Sequence, residues 1–180
     1  MDKHVSPWLA GLGGAVLLAL MAPGTALAEP QTLPGKAQAR VIEPLNVQPV
    51  TDLRFGRMTP PAAAGTITVT PASGVSTTGG ATAAAAVPQY TNGRGAGAFA
   101  VFGNRNRYFL YVLPVTATIS NGSASMVVDN FVTNQGGRVG LPRLDNTGYA
   151  PLLVGARLNV SANQATGDYS GDYQMVVLYL

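Results

Sequence analysis

The chain contains no cysteine, and its single histidine is His4. Without cysteine there is no thiolate nucleophile, no thiolate metal ligand and no disulfide, so stability must come from packing and strand pairing. Without a histidine beyond residue 4, the rest of the chain has neither a Ser–His–Asp relay nor an imidazole metal site. Charge is scarce as well: 11% of residues are charged and the formal net charge is +3. That balance is not the dense basic footprint of a nucleic-acid binder. The acids after the first few residues are Glu29, Glu43, Asp52, Asp129, Asp145, Asp168 and Asp172. Their spacing offers no carboxylate pair of the glycosidase kind. Gly93, Gly95 and Ala98 resemble part of a dinucleotide fingerprint but lack the flanking strand and helix. The sequence therefore argues against an enzyme, and it calls for no cofactor and no metal.

Helical periodicity is confined to the first residues. Lys3 and His4 precede an apolar core over Leu9 to Ala22, and Ala26-Leu27-Ala28 is a small-x-small cleavage site. Residues 1–28 are read as a secretory signal peptide, too short and too Gly-interrupted for a stable membrane span. The mature domain is then 29–180, exported across the inner membrane to the periplasm, the outer surface or an extracellular fibre. About 150 residues suffice for one domain with a real core.

What remains is rich in alternating apolar segments. Ala37, Ala39, Val41, Leu45 and Val47 alternate with polar residues but are broken by Pro44 and Pro49. Proline cannot donate to a ladder, so this strand belongs at a sheet edge or switches partners midway. Further strands are expected at Gly65–Pro71, Val75–Thr78, Ala81–Val87, Ala98–Phe102 and Tyr108–Leu113, the last a continuous run suited to cover on both faces. Val115–Ile119 and Ser125–Thr133 flank an Asn121-Gly122 turn, the signal of a hairpin. Tyr149–Val154, Arg157–Ala162 and Gln174–Leu180 complete the set, with a loop from Gly136 to Gly148. About eight to ten short strands with Gly, Asn and Pro punctuation predict an all-β sandwich. Tyr108, Phe109 and Tyr111 are read as core packing.

Two clusters were weighed as sites. Asp168 and Asp172 stand in a doubled Gly-Asp-Tyr beside Asn163, but a calcium ion needs six to eight oxygen ligands. They are read as a solvated turn over Tyr169 and Tyr173. Arg94, Arg105 and Arg107 form a basic tip, read as a charged loop that keeps a turn soluble.

The final strand is the most β-prone run. Tyr173, Met175, Val177 and Tyr179 share one face, and Val176, Leu178 and Leu180 the other. A strand apolar on both faces requires cover by other polypeptide. Just before it stand Leu158, Asn159, Val160, Ala162, Asn163, Gln164, Gly167, Tyr169 and Gly171. This array resembles the closing motif of a family of bacterial secreted domains catalogued as DUF4402, with Ser161 where glycine is usual. Leu53-Arg54-Phe55-Gly56-Arg57-Met58 is similar to that family's early L-x-F-G-x-I motif, and Gly65 to Pro71 to its GTVTVSP. Penultimate Tyr179 and Gly167, fourteenth from the end, also resemble the tail of chaperone–usher pilins, many of which carry a disulfide that this chain lacks. The resemblance implies an immunoglobulin-like sandwich and a pilin-like structural role.

Two functions follow as expectations. In the first, the domain assembles into a surface fibre by strand donation. Val41, Leu45 and Val47 would be the donated knobs, and Met175, Val177 and Tyr179 would line the acceptor groove. Partners would be further copies of the chain or a periplasmic chaperone. In the second, strand 37–50 closes its own domain, and a self-contained secreted module contacts a ligand through loops such as Gly103–Arg107.

Overall fold

The computed structural model describes residues 44–81 and 93–180. The expected signal peptide, Val41, and the expected strand 81–87 beyond Ala81 lie outside the described residues. No helix among the described residues is long and apolar enough to cross a membrane.

Among the described residues there are ten strands: β1 (Asn46–Thr51), β2 (Gly65–Val69), β3 (Val75–Gly79), β4 (Gly97–Phe102), β5 (Phe109–Val112), β6 (Thr116–Ser120), β7 (Ser125–Thr133), β8 (Val139–Gly140), β9 (Tyr149–Val160) and β10 (Val176–Tyr179). They form two antiparallel sheets packed as a sandwich. The larger is built around β9. Its first half pairs with β4 and its second half with β2, both on one edge, while β7 runs along the other. β1 flanks β4, β3 flanks β2, and β6 flanks β7. The smaller sheet has the order β10-β5-β8.

Sequence periodicity suggests two strands over Tyr149–Val154 and Arg157–Ala162, whereas the structure makes them one. Gly155 is the reason the strand runs through. Val154 pairs with Gly97 and Ala156 with Val69, so β9 exchanges one neighbour for another at that residue. A Cβ on Gly155 would lie 2.8 Å from both the Pro71 nitrogen and the Thr70 carbonyl carbon. Only glycine lets the chain leaving β2 approach so closely.

The hairpin β6–β7 forms as its turn residues require. The Asn121 side-chain oxygen accepts from the Ser123 and Ala124 N–H groups at 3.0 and 2.8 Å, and Gly122 takes φ +89°. β7 is interrupted between Asp129 and Val132 by a bulge with Asn130 at φ +48°. Immediately before it, Asp129 receives a two-pronged hydrogen bond from Arg157 of β9, at 2.7 and 3.0 Å. That bond holds the Asp129 carboxyl below its ordinary range and raises Arg157. β5 sits centrally, as its apolar run suggests, but only Phe109 and Tyr111 are fully buried. Tyr111 is anchored by its hydroxyl to Thr133 at 2.6 Å and to the Gly137 carbonyl at 3.1 Å. Tyr108, expected in the core, is instead exposed, because the strand begins one residue later and Tyr108 joins only an isolated bridge to Arg143. The expected loop after Gly136 also contains the two-residue β8.

The core has two parts. In one, Phe109 and Tyr111 of the small sheet meet Val101, Ala150 and Leu152 of the large sheet. In the other, Ile67, Met126, Val128, Phe131, Leu158 and Val160 project from β2, β7 and β9. Among the described residues, no sheet lies over that second half of the large sheet. Its roof is two irregular segments, around residues 53–58 and 169–175.

Candidate functional site

Between those two segments runs a groove of about 1030 Å³. One wall is Pro49–Pro61 and the other Gln164–Tyr173. The floor is core: Met126, Val128, Phe131, Leu158 and Val160 line it, each at most 5% exposed. Ile119 and Ala117 of β6 continue the floor toward the edge.

The Gln164–Tyr173 wall is held rigid by its own sequence. Asn163 adopts φ +53°, a left-handed conformation that asparagine tolerates better than most residues. Its N–H donates to the Pro61 carbonyl at 2.8 Å, tying the two walls together at one end. The Gln164 amide donates to the Tyr169 hydroxyl at 2.9 Å, and that hydroxyl donates onward to the Ala165 carbonyl at 2.7 Å. Gly167 takes φ +140° against the Asn121 side chain, which itself donates to the Thr166 carbonyl at 3.1 Å. Ser170 then exchanges two backbone hydrogen bonds with Ser120, at 2.8 and 3.1 Å, pinning the wall to the end of β6. At Gly171 a Cβ would meet Ile119 Cα at 3.0 Å. The residues Asn163, Gln164, Gly167, Tyr169 and Gly171 therefore form a clasp, and Leu158 and Val160, just before them, are buried in the floor.

The opposite wall is simpler. Leu53, Phe55 and Met58 turn toward the core. Arg54 exchanges backbone hydrogen bonds with Gly95, both at 2.9 Å. Gly56, at φ +77°, turns the chain between Phe55 and Met58. Tyr173 closes the floor, 5.2 Å from Phe131 between ring centroids and edge-on to Phe99 at 6.1 Å. Burial, assisted by the nearby Asp52 carboxylate, pushes the Tyr173 phenol up to about 12. The groove's lining is apolar below and mixed in charge along the lip, with Asp52, Asp168 and Asp172 set against Arg54 and Arg57.

Residues singled out by sequence fall in two places. The clasp and the L-x-F-G segment, distant in sequence, face each other across the groove. Val177 and Tyr179 lie elsewhere, on the part of the core beneath the small sheet, where Tyr179 accepts from the Asn104 N–H at 2.7 Å, while Met175 packs against both parts of the core. Leu45 and Val47 pack on that same cluster of their own domain, with β1 paired to β4. Asp168 and Asp172 stand on the groove wall, and no group of three or more potential metal ligands occurs among the described residues. The groove itself was not foreseen. It is visible only once the two irregular segments are seen to roof the same half-sheet.

One half of the large sheet is thus covered by two tied irregular walls, with a groove between them over a buried apolar floor. Residues 45–179 match the family described as Domain of unknown function (DUF4402), and the chain belongs to it. No curated protein and no solved structure matches the chain.

Proposed function

We propose that this is a secreted, pilin-like structural subunit that assembles by strand donation, and that the groove between Pro49–Pro61 and Gln164–Tyr173 is its acceptor. The observation that carries this is the groove itself: core side chains of β7 and β9 floor it, and beyond the end of β1 the strand pairing of its two walls among the described residues is limited to isolated bridges. An inserted strand would gain main-chain hydrogen bonds from the walls and pockets for every second side chain.

Leu45 and Val47 serve their own domain, so the donor is the stretch upstream of Pro44 from another copy. There Ala37, Ala39 and Val41 alternate with Gln38 and Arg40, and Lys36 precedes them. Small apolar knobs suit a narrow slot, and Lys36 and Arg40 complement the carboxylates of Asp52, Asp168 and Asp172 on the lip. A periplasmic chaperone would fill the groove before assembly. No step of this role needs catalysis or a cofactor.

The direct test is the mass of purified residues 29–180 in solution, together with binding of a labelled peptide of residues 29–43. The expected result is concentration-dependent self-association, and peptide binding that Ile119→Gln abolishes. A monomer at every concentration that ignores the peptide overturns the proposal. Electron microscopy of cells with and without the protein then tests whether it builds a surface fibre. The second reading, a self-contained binding module, is favoured by the packing of Leu45 and Val47 in their own domain. It would show as a stable monomer whose groove takes a peptide of foreign sequence.

A further inference from the structure

The outward face of the small sheet is apolar. β10 turns Val176, Leu178 and Leu180 to solvent, 51%, 53% and 61% exposed. The register sets Val176 opposite Val112 and Val112 opposite Val139, a valine row across all three strands. Tyr108 and Leu141, 52% and 53% exposed, extend it. Six of the eleven exposed large apolar side chains thus lie on or beside this one sheet, a patch rather than a scatter.

Arginines surround it. Arg143 lies over the Tyr108 ring, 5.8 Å from its centroid, and donates to the Asn106 carbonyl at 2.9 Å. Arg138 donates to the Leu113 carbonyl at 3.0 Å, and Arg107 to the Leu180 main-chain oxygen at 3.0 Å. Arg105 is exposed in the adjoining turn. Among the described residues, Arg105, Arg138 and Arg143 have no carboxylate in an ion pair. The acid nearby, Asp145, is engaged by the Thr147 N–H and hydroxyl and the Tyr149 N–H.

Charge decides what fits. A second copy, face to face, would lay one arginine rim on another. Residues 82–92 contain no acid, and Asp2, Glu29 and Glu43 of residues 1–43 are offset by Lys3, Lys36 and Arg40. The face is a sheet surface rather than a slot, which suits a planar partner. We propose that it docks on an anionic lipid bilayer. Leu178, Leu180, Val176 and Leu141 enter the boundary between headgroups and acyl chains, Tyr108 sits at headgroup level, and the arginines reach lipid phosphates. This surface is separate from the groove and does not depend on the fibre reading.

The test is partitioning of the chain, expressed from its full-length sequence and purified in the processed form the cell yields. Vesicles of neutral phosphatidylcholine are compared with vesicles containing phosphatidylglycerol. Binding is expected to the anionic vesicles only and to weaken with salt. Loss of one arginine near the surface weakens partitioning roughly 5-fold, so R138Q/R143Q is expected to weaken it roughly 30-fold. Leu178→Ser is expected to weaken it as well, with unchanged circular dichroism. A Tyr108→Trp variant is expected to shift its emission to the blue on anionic vesicles. Equal binding to both vesicle types, or none to either, overturns the proposal. So does anion binding that Leu178→Ser leaves unaltered, which would mark a soluble polyanion as the partner. A dimer that Leu178→Ser converts to monomer would assign the face to a second copy instead.

Discussion

Tyr169 shows how much of the groove wall rests on single hydrogen bonds. Its hydroxyl is the hub between Gln164 and the Ala165 carbonyl. Tyr169→Phe is expected to cost about 1 kcal/mol in urea denaturation, the usual net value of such a bond, and to loosen the 164–169 turn in hydrogen exchange. Gly155→Ala is expected to cost more, about 1–3 kcal/mol or beyond, because the added methyl meets backbone that cannot swing aside. Tyr173 makes a pH prediction. Its folded pKa, about 12, stands above the ordinary value of 10.0, so burying the neutral phenol stabilises the fold fully below pH 10. That contribution is lost as pH rises through 12. Alkaline unfolding of Tyr173→Phe is therefore expected to lack the part of the limb between those values. Asp129 works in the other direction. Its folded pKa is lowered by Arg157, so its contribution is present above the ordinary carboxylate range and is lost as pH falls through the folded value. Asp129→Asn is expected to be less stable than the parent at neutral pH, and the two are expected to converge in acid.

At the scale of elements, strands were legible wherever period-two alternation was uninterrupted. β2, β4, β6 and β7 lie close to where their sequences place them; exposure alternates along β6 and most of β2 and β7, while in β4 the successive residues Ala100 and Val101 are both buried. β9 was harder, because Gly155 reads locally as a break and works here as a gap left for a neighbour's backbone. β10 was legible in its alternation but not in its surroundings. Apolar residues on both faces suggested full cover, yet only the Val177 and Tyr179 side is packed. Its four residues pair with β5 alone. The motif at 158–171 was legible as a motif, and its meaning was not. Hydrogen bonds such as Asn163 to Pro61 join residues that no local pattern connects. Elements held by one neighbour open first. Amides of β10 are accordingly expected to exchange well before those of β9, which is paired along both edges, in a native-state hydrogen-exchange experiment.

Taken whole, the domain has one finished half and one unfinished half. The small sheet roofs β1, β4 and the first part of β9, while two irregular segments roof the rest. An occupant of the groove would bind the folded state alone, and so would raise stability by mass action. At a hundredfold excess of peptide over its dissociation constant the gain is expected to be about 2.7 kcal/mol, read as a rise in melting temperature. Ile119→Gln is expected to remove that rise and, because Ile119 packs against the core, to lower the unliganded melting temperature as well.

The bond from Asn163 to the Pro61 carbonyl joins the two banks of the channel at a single crossing. Were an inserted strand to halt at that crossing, the length admitted would be measured by the receiving molecule and not by the incoming one. In a string of such units every joint would halt at the same stop, and the spacing along the string would be uniform without any separate ruler.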